Sequence, residues 1–304
     1  MTTITDHYAI AEPVSFLNVN VGVDNRMFVD PHAIRLQDPG DRWVKAANHS
    51  TETFFLEVAM SALNGDSKRG LQLLQHFEEP WETRLGLARR GFRGHGGAAD
   101  VGSWIWDALT TDLEALLRIG LLRQIEDLPL FVNGIDRDIT SDVTTRIVFS
   151  ALAGFTADML AQHPEFTAGP HRVGSFERQV WDSETREWTY QLVDLPIADG
   201  KPLLLVPKHW ARPRLLMSAG RYYETSVLSY AQLEQAVTLK SGKLLRISKE
   251  NLQLQAALGR GRVTNLRVTR RAHATEEDLL GQFRAFVDSR YARVDEQTRA
   301  LRIA

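Results

Sequence analysis

Apolar residues recur every three or four positions over most of the first half of the chain, a spacing typical of helices that pack one face against a core. The stripes that predict helices cover Asp41–Leu63, Ser67–Phe77, Asp100–Ile119 and Ser141–Gln162. Asp30-Pro31 adds an N-cap residue followed by a proline suited to the first helical position. The first half of the chain is therefore predicted to be mainly helical.

Alternation of apolar and polar residues predicts strands in two regions. In Val14–Val29 the alternation is interrupted by the turn-forming Asp24-Asn25-Arg26, so an N-terminal β-hairpin is expected. Three later runs, Ser175–Trp181, Glu187–Leu195 and Pro202–Pro207, are separated by turn residues. These runs predict a central antiparallel strand meander.

The last part of the chain returns to helical spacing in Thr225–Thr238, Lys249–Leu258 and Thr275–Arg293. Strands that form a block between helical regions, instead of alternating with helices, indicate an α+β fold. The 304 residues contain no internal repeat and no linker rich in Pro or Ser, so one interlocked domain is expected. The alternative is a division into an acidic, mainly helical part (1–170) and a basic part (171–304).

The composition indicates the structural class of the protein and its expected location in the cell. The chain is 43% hydrophobic and 24% charged, which is ordinary for a globular protein. It has no Cys, which excludes disulfides, thiolate metal sites and cysteine nucleophiles. Its start lacks the pattern of a signal peptide, and no apolar run reaches the roughly 18 residues of a membrane span. A cytoplasmic protein without a membrane partner is expected, and a homo-oligomer is left open.

Charge is unevenly divided along the chain. Residues 1–200 carry 17 basic and 29 acidic side chains, whereas residues 201–304 carry 19 and 9, within a net charge of −2. Basic side chains gathered over a third of a protein attract polyanions, so nucleic acid or another polyphosphate is the expected partner. The alternative is that the basic part packs on the acidic remainder or forms a solvated face.

Residues 84–102 contain six of the 21 glycines together with several arginines. Glycine lets the backbone turn its N–H groups toward a phosphate, and arginine adds charge and bidentate donors. The predicted ligand-binding residues are Arg84, Arg90, Arg93, Gly94, His95 and Gly97. The segment matches neither the P-loop nor the dinucleotide fingerprint, and the alternative is a mobile surface loop.

Asp136, Asp138 and Asp142 form an acidic cluster ahead of a strongly apolar helical stripe. Carboxylate oxygens are suitable ligands for Mg²⁺, Mn²⁺ or Ca²⁺. A calcium-binding EF-hand is excluded, because the turn glycine is missing and Ile147 stands where the bidentate Glu should be. Asp138 and Asp142 are therefore predicted as metal ligands or, alternatively, as caps for helix N–H groups.

The segment from Asp194 to Lys208 resembles the PD-(D/E)xK nuclease fold, in which an Asp near a strand start is followed by Glu-x-Lys on the next strand. The resemblance implies that Asp194 binds a divalent ion and that Lys208 stabilises phosphate charge. Val206 stands where that family has its second metal carboxylate. The missing ligand would have to come from Asp138 or Asp142. The alternative is that Asp194 shapes a turn and Lys208 is solvated.

Two hypotheses follow. The first is a nucleic-acid-binding or nucleic-acid-processing protein, in its sharpest form a divalent-metal-dependent nuclease or phosphodiesterase that uses Mg²⁺ or Mn²⁺. Its predicted metal ligands are Asp138, Asp142 and Asp194; its catalytic residues are Asp194 and Lys208; Arg212 and Arg214 contact backbone phosphates. The second is a non-catalytic nucleotide- or phosphate-binding module, regulatory or protein-interacting, that binds its ligand through residues 84–102.

Overall fold

A computed structural model describes residues 2–86, 98–118 and 120–303, and the side chains of all of these except 98–99 and 292–303. The chain divides into two compact units. The first unit comprises Met1–Glu114, Arg123–Glu126 and Ile135–Leu215; the second comprises Ala115–Leu122, Asp127–Gly134 and Leu216–Ala304. Residues 171–215 therefore group with the helical first part of the chain. The expectation of one interlocked domain stays a prediction.

The order of elements confirms the α+β class. In chain order the helices are α1 (Ile4–Tyr8), α2 (Pro31–Arg35), α3 (Arg42–Asn64), α4 (Ser67–Leu74), α5 (Ala98–Thr110), α6 (Glu114–Arg118), α7 (Leu128–Phe131), α8 (Arg137–Ile147), α9 (Phe149–Gln162), α10 (Ala219–Tyr222), α11 (Leu228–Glu234), α12 (Lys249–Gln253), α13 (Arg262–His273) and α14 (Leu279–Ile303). The strands are β1 (Phe28–Val29), β2 (Val173–Asp182), β3 (Glu187–Ala198), β4 (Lys201–Pro202), β5 (Ala211–Arg212), β6 (Val237–Thr238) and β7 (Leu244–Leu245).

Helix α3 illustrates how local sequence sets the element boundaries. The Asp41 carboxylate accepts hydrogen bonds from the backbone N–H groups of Trp43 (2.7 Å) and Val44 (3.4 Å), which satisfies donors that an uncapped helix would leave unpaired. The helix ends at Gly65, whose φ of 72° lies in the left-handed region that favours glycine. Its buried stripe includes Phe54, which is 1% exposed. The predicted helix is confirmed.

The start of α8 corrects one prediction. The side chain of Asp136 accepts from the N–H groups of Asp138 (3.0 Å) and Ile139 (3.2 Å), so Asp136 is the N-cap. The expectation that Asp138 and Asp142 cap this helix is therefore wrong. Asp142 lies one turn further inside the helix and is buried. The helix begins at Arg137 because the first available cap precedes the apolar stripe.

The central sheet has the strand order β2-β3-β4 and is antiparallel, which confirms the predicted meander. In the long β2–β3 hairpin Val180 pairs with Thr189 and Trp181 with Trp188. The side chain of Asp182 accepts from the N–H of Glu184 at 2.9 Å and shapes the turn between the strands.

Short pairings join the start of the first unit to its end. Strand β1 pairs with β5, so that Phe28 lies opposite Arg212. An isolated bridge joins Phe16 to Pro207. The core of this unit collects fully buried side chains from these segments, from α9 and from the sheet, among them Phe16, Val29, Phe149, Leu152, Phe166, Leu195 and Leu204.

The second unit has its own core, built around Tyr222 and Phe283, both fully buried. The Tyr222 hydroxyl lies 2.6 Å from the hydroxyl of Thr269 on α13. Asn265 on the same helix donates through Nδ2 to the carbonyl of Leu130 at 2.9 Å. A buried polar group with such partners fixes how neighbouring segments pack.

Within the described ranges, no single helix has the length and hydropathy of a membrane span. The pair α8 and α9 meets that test only when counted together, and the two helices are bent by 72° relative to each other.

Candidate functional site

Arg84 is the most strongly constrained of the predicted ligand-binding residues that the structure describes. It follows the 3₁₀ turn Trp81–Thr83 and has a backbone φ of 57°, a value that residues other than glycine rarely adopt. Its carbonyl accepts from the backbone N–H of Asn25 at 2.8 Å and from Asn25 Nδ2 at 2.9 Å. Its own Nε donates to the Val21 carbonyl at 3.0 Å and Nη1 to the Trp81 carbonyl at 2.8 Å. Contacts on both backbone and side chain therefore hold this conformation.

An ion pair of buried Glu82 and a hydrogen bond to the backbone fix the segment that leads to Arg84. Glu82 is 2% exposed, and its Oε1 accepts from Nε of Arg178 on β2 at 2.8 Å. Arg146 on α8 donates through Nη2 to the carbonyl of Glu79 at 2.8 Å. Removing one partner of such a buried pair leaves an uncompensated charge, so this network favours a single placement of the segment.

Arg84 lines an open cavity of about 340 Å³ in the first unit. The full lining is Val21, Gly22, Val23, Asp24, Trp81, Arg84, Asp199 and Lys201. The cavity thus combines two cations, two carboxylates and an indole that is 42% exposed. A volume of this size suits a small ligand, and convergent polar groups beside an aromatic ring are usual in binding sites.

The guanidinium of Arg84 is charged and is not fully hydrogen-bonded by the described residues. Burial lowers the pKa of the Arg84 guanidinium, while the negative charges of Glu82, Asp24 and Asp199 act in the opposite direction. Arginine titrates so far above neutral pH that the group stays charged. Among the described residues no carboxylate forms an ion pair with Arg84, and its buried Nη2 has no hydrogen-bond partner there. The guanidinium therefore keeps donor capacity for an anion.

Tyr8 and two histidines lie in the same electrostatic environment. Tyr8 is 1% exposed, and its hydroxyl has no hydrogen-bond partner in the part of the chain that the structure describes. Burial raises the pKa of Tyr8, and the positive charge of Arg84 opposes this effect. Its ring centroid lies 4.7 Å from that of His171. Burial and the neighbouring His171 lower the pKa of His7, whereas Asp199 raises it.

Asp138 and Asp142 are brought together on adjacent turns of α8. Asp142 is 8% exposed, and burial raises its pKa well above the usual range for a carboxyl. The negative charges of Asp138, Glu79 and Asp136 raise the pKa further, and the positive charge of Arg146 acts against them. This part of α8 therefore has a negative potential that a cation would stabilise.

Asp194 and Lys208 do not pair. Asp194 is exposed on β3 opposite Ser175, whose hydroxyl donates to its carboxylate. Lys208 has an exposed side chain, and its backbone N–H donates to the Ser15 carbonyl at 3.0 Å. Across residues 2–86, 98–118 and 120–303, no three His, Asp or Glu side chains form a group that could hold a metal ion. The structure therefore groups Asp138 with Asp142 and does not add Asp194 to them.

The remaining predicted residues divide between described and undescribed parts of the chain. Arg212 lies in β5, and Arg214 is exposed two residues later. Residues Arg90, Arg93, Gly94, His95 and Gly97 lie outside the described residues. Gly86, the first glycine of that segment, has a φ of 135°, and a Cβ there would lie 3.4 Å from Oδ1 of Asp138.

Sequence patterns identify Arg84 but miss the other groups around it. Asp24, Trp81, Asp199 and Lys201 come from three separate segments, and no spacing in the chain connects them. Asp199 and Lys201 stand out in the sequence only as part of a turn. Trp81 is 42% exposed, a property that the sequence does not reveal.

The first unit thus combines helices and strands and has a mixed-charge cavity lined by Arg84. The chain belongs to a protein family described as "Domain of unknown function (DUF8370)", whose model matches residues 9–218. No curated protein and no solved structure matches the chain. The matched range includes every residue that lines the Arg84 cavity.

Proposed function

We propose that the first unit binds a phosphate-bearing ligand, a nucleotide or the end of a nucleic acid, in the Arg84 cavity. The observation that carries this proposal is the buried guanidinium of Arg84, which has no ion-pair partner among the described residues. The backbone of Arg84 is fixed at a φ of 57°. Buried charges in proteins are normally paired, and Arg84 forms no direct ion pair with a described residue although Glu82, Asp24 and Asp199 act on it at longer range, so its guanidinium can bind an anionic ligand. Lys201 adds a second positive charge to the same cavity.

The other lining groups suit the remainder of a nucleotide. The indole of Trp81 is exposed enough to stack on a base, a contact that tolerates any base because each has a π face. Asp24 and Asp199 are carboxylates and accept hydrogen bonds, which fits sugar hydroxyls or exocyclic amino groups. Phosphate on the cations, base on the indole, and sugar hydroxyls or amino groups on the carboxylates account for all the charged and aromatic groups of the cavity.

Calorimetric titration with AMP and with inorganic phosphate tests the proposal. We expect AMP to bind, inorganic phosphate to compete with it, and Arg84→Gln to weaken the phosphate-dependent binding by about tenfold or more. Lys45→Gln is the matched control, because this lysine is exposed and does not line the cavity. Circular dichroism checks that each variant is folded. AMP binding that is absent at low salt, or that is the same in Arg84→Gln, contradicts the proposal.

A second candidate function is phosphodiester hydrolysis with Mg²⁺ or Mn²⁺. It rests on the buried Asp142 carboxyl, whose pKa is raised by burial and by the negative charges of Asp138, Glu79 and Asp136, because a divalent cation would stabilise the ionised form. The described side chains around it do not by themselves form a complete metal-binding group. The test is incubation of the purified protein with single- and double-stranded nucleic acid in the presence of Mn²⁺. Cleavage that is lost in Asp142→Asn supports this function; its absence in the wild type leaves a binding module.

The same assay separates the two sets of residues proposed for catalysis. Cleavage that also falls in Asp194→Asn and Lys208→Ala, by roughly 10² or more, assigns catalysis to the segment that resembles the PD-(D/E)xK fold. Cleavage that is unchanged in both variants, but lost in Asp142→Asn, assigns it to α8 alone.

A further inference from the structure

Basic residues are concentrated in one stretch of the second unit. Residues 235–274 contain nine Lys or Arg side chains and a single acidic one, Glu250. This stretch comprises the β6–β7 hairpin, α12 and α13, and it contributes no residue to the Arg84 cavity or to α8. Neither of the functions proposed above uses it.

The β6–β7 hairpin is exposed on both faces. Every residue from 237 to 246 is exposed, and none of them is Asp or Glu. Lys240 and Lys243 lie at the turn, where Gly242 has a φ of 78°, and Arg246 directly follows β7. A two-stranded hairpin without a covered face is only marginally stable in water, so a partner surface would stabilise it.

Helix α13 presents two arginines on a firmly held backbone. Asn265 and Thr269 are buried on its inner side, whereas Arg267 and Arg270 are exposed on its outer side. Arg267 donates through Nη2 to the carbonyl of Ala257 at 2.5 Å. Among the described residues no carboxylate forms an ion pair with either arginine. Both positive charges therefore stay available to an anionic partner.

Hydrogen bonds place the base of the hairpin beside these arginines. Gln235, two residues before β6, exchanges two amide hydrogen bonds of 3.0 Å with Gln255. Gln255 lies in the connection between α12 and α13, the same connection in which Ala257 binds Arg267. The cations of the two elements form one basic surface, which consists of Lys240, Lys243, Arg246, Arg267 and Arg270.

The shape of this basic surface favours a duplex over a single phosphate. Its cations are spread over two elements, which suits an anion whose charges repeat along its length. Helix α13 has 12 residues, and a helix with side chains is about 10–12 Å wide. The major groove of B-DNA is about 12 Å wide and admits such a helix, whereas the major groove of double-stranded RNA is too narrow.

We propose that the second unit binds double-stranded DNA, with α13 in the major groove and the β6–β7 hairpin in an adjacent minor groove. Arg267 and Arg270 are three residues apart, so both point to the same side of the helix. Leu239 and Leu244, 41% and 47% exposed, lie next to the hairpin turn. Apolar side chains at such a position insert between base steps in the minor groove, while the lysines bind the flanking phosphates.

Fluorescence anisotropy with a labelled DNA dumbbell tests this inference, because a duplex closed at both ends offers no end to the Arg84 cavity. We expect binding at low salt that weakens as the salt concentration rises. Arg270→Gln should weaken binding by about tenfold, the scale of one arginine contact. Arg271→Gln is the matched control: it removes the same charge from the next residue, but Arg271 already donates to Glu234 at 2.7 Å.

The hairpin is tested by replacing Lys240 and Lys243 together with Gln. This double variant should lower the slope of log affinity against log salt by about 2, since each phosphate contact contributes about 1. Circular dichroism checks that each variant is folded. A slope equal to that of the wild type would remove the hairpin from the interface and overturn the inference.

The remaining outcomes separate this surface from the proposed function. Dumbbell binding that persists in Arg84→Gln and falls in Arg270→Gln supports the inference, even if AMP never binds at Arg84. No binding at low salt, or equal affinity of Arg270→Gln and Arg271→Gln, overturns it. Equal affinity for a duplex RNA of the same sequence also overturns it, because α13 cannot enter that major groove. Tighter binding to vesicles of anionic phospholipid than to DNA would assign the basic surface to lipid and overturn the inference as well.

Discussion

The guanidinium of Arg84 lies 5.8 Å from the ring centroid of Trp81, and its Nη1 donates to the Trp81 carbonyl at 2.8 Å. The short helical turn between them makes both contacts possible, because it ends at Arg84 in the left-handed conformation. Cation and indole thus line one cavity as a linked pair. Loss of the Trp81 side chain should change ligand affinity, while the hydrogen bond to its carbonyl survives.

The first prediction concerns Trp81. Trp81→Ala should weaken AMP binding by roughly tenfold, because base stacking on an aromatic side chain contributes about 1–3 kcal/mol. Stability should change little, since the side chain is 42% exposed. Calorimetric titration gives the affinity and urea unfolding gives the stability. Leu56→Ala, at an apolar residue that is 48% exposed on α3, is the control. Equal AMP affinity in the two variants would show that Trp81 does not contact the ligand.

Local sequence predicted those parts of the fold that depend on caps, turns and periodicity. Asp30 caps α2 through the N–H groups of His32 and Ala33, with Pro31 in the first turn, as the dipeptide indicated. The β2–β3 hairpin has the predicted alternation, because one of its faces packs on the core. These features are fixed by residues close together in the chain.

Pairings between distant segments could not be predicted in the same way. A strand as short as β1 carries no signal for its partner, and it pairs with β5 near the end of the first unit. The Arg84 cavity has the same origin, since its lining residues come from three distant parts of the chain: residues 21–24, the turn before Arg84, and the turn into β4. Charge counting also missed a boundary: Lys201, Lys208, Arg212 and Arg214 belong to the first unit, whereas the other basic residues after 200 belong to the second.

The second prediction concerns the contribution of three of these basic residues to nucleic-acid binding. Neutralising Lys208, Arg212 and Arg214 together should weaken binding to nucleic acid and flatten its dependence on salt, because fewer counterions are released from the phosphates. Fluorescence anisotropy with labelled single- and double-stranded oligonucleotides at several salt concentrations measures both effects. A salt dependence identical to that of the wild type would exclude these three residues from the interface.

The third prediction concerns buried Glu126. Burial would raise the pKa of its carboxyl, but the hydrogen bond from His32 and the charge and hydrogen bond of Arg35 lower the pKa to about 2. The unfolded value is about 4.3, so the ionised group stabilises the fold above that pH, and this contribution is lost as the pH falls toward 2. Glu126→Gln should therefore reduce the free energy of unfolding by about 1.5–3 kcal/mol at pH 7, and by progressively less below about pH 4.

Urea unfolding between pH 7 and pH 2.5 measures the effect of Glu126→Gln. Glu52→Gln is the matched control, because Glu52 also pairs with Arg35 at 2.8 Å but its side chain is 57% exposed. An exposed pair contributes less than about 1 kcal/mol. Equal losses in the two variants would contradict the assignment of the stabilising contact to the buried carboxylate.

The fourth prediction concerns the contact between α4 and α5. A Cβ at Gly102 would lie 2.2 Å from the carbonyl oxygen of Leu74, so the two helices approach closely only because this residue has no side chain. Gly102→Ala should cost about 1–3 kcal/mol, although alanine is the better helix former. At Gly22 an added Cβ would meet neighbours only at 3.8 Å or beyond, so Gly22→Ala is the control. Thermal unfolding that ranks the two variants equally would disprove the close packing.

The fifth prediction concerns Asp142. Burial, with Asp138, Glu79 and Asp136 around it, raises the pKa of this carboxyl, so the folded state holds its proton more tightly than the unfolded chain. Its contribution is then most favourable below the unfolded value of about 3.9 and is lost as the pH rises through the folded pKa. At neutral pH Asp142→Asn should raise the free energy of unfolding by about 1 kcal/mol, a common size for a single substitution.

Two further measurements decide what Asp142 does. The gain in stability from Asp142→Asn should disappear below about pH 4, where the wild-type carboxyl is protonated in both states. If α8 binds a divalent cation, Mn²⁺ should raise the melting temperature of the wild type and leave that of Asp142→Asn unchanged, because a ligand stabilises only the state that binds it. Asp194→Asn is the control, since this carboxylate is exposed on β3. A loss of stability in Asp142→Asn at pH 7 without metal would show that the ionised carboxylate supports the fold.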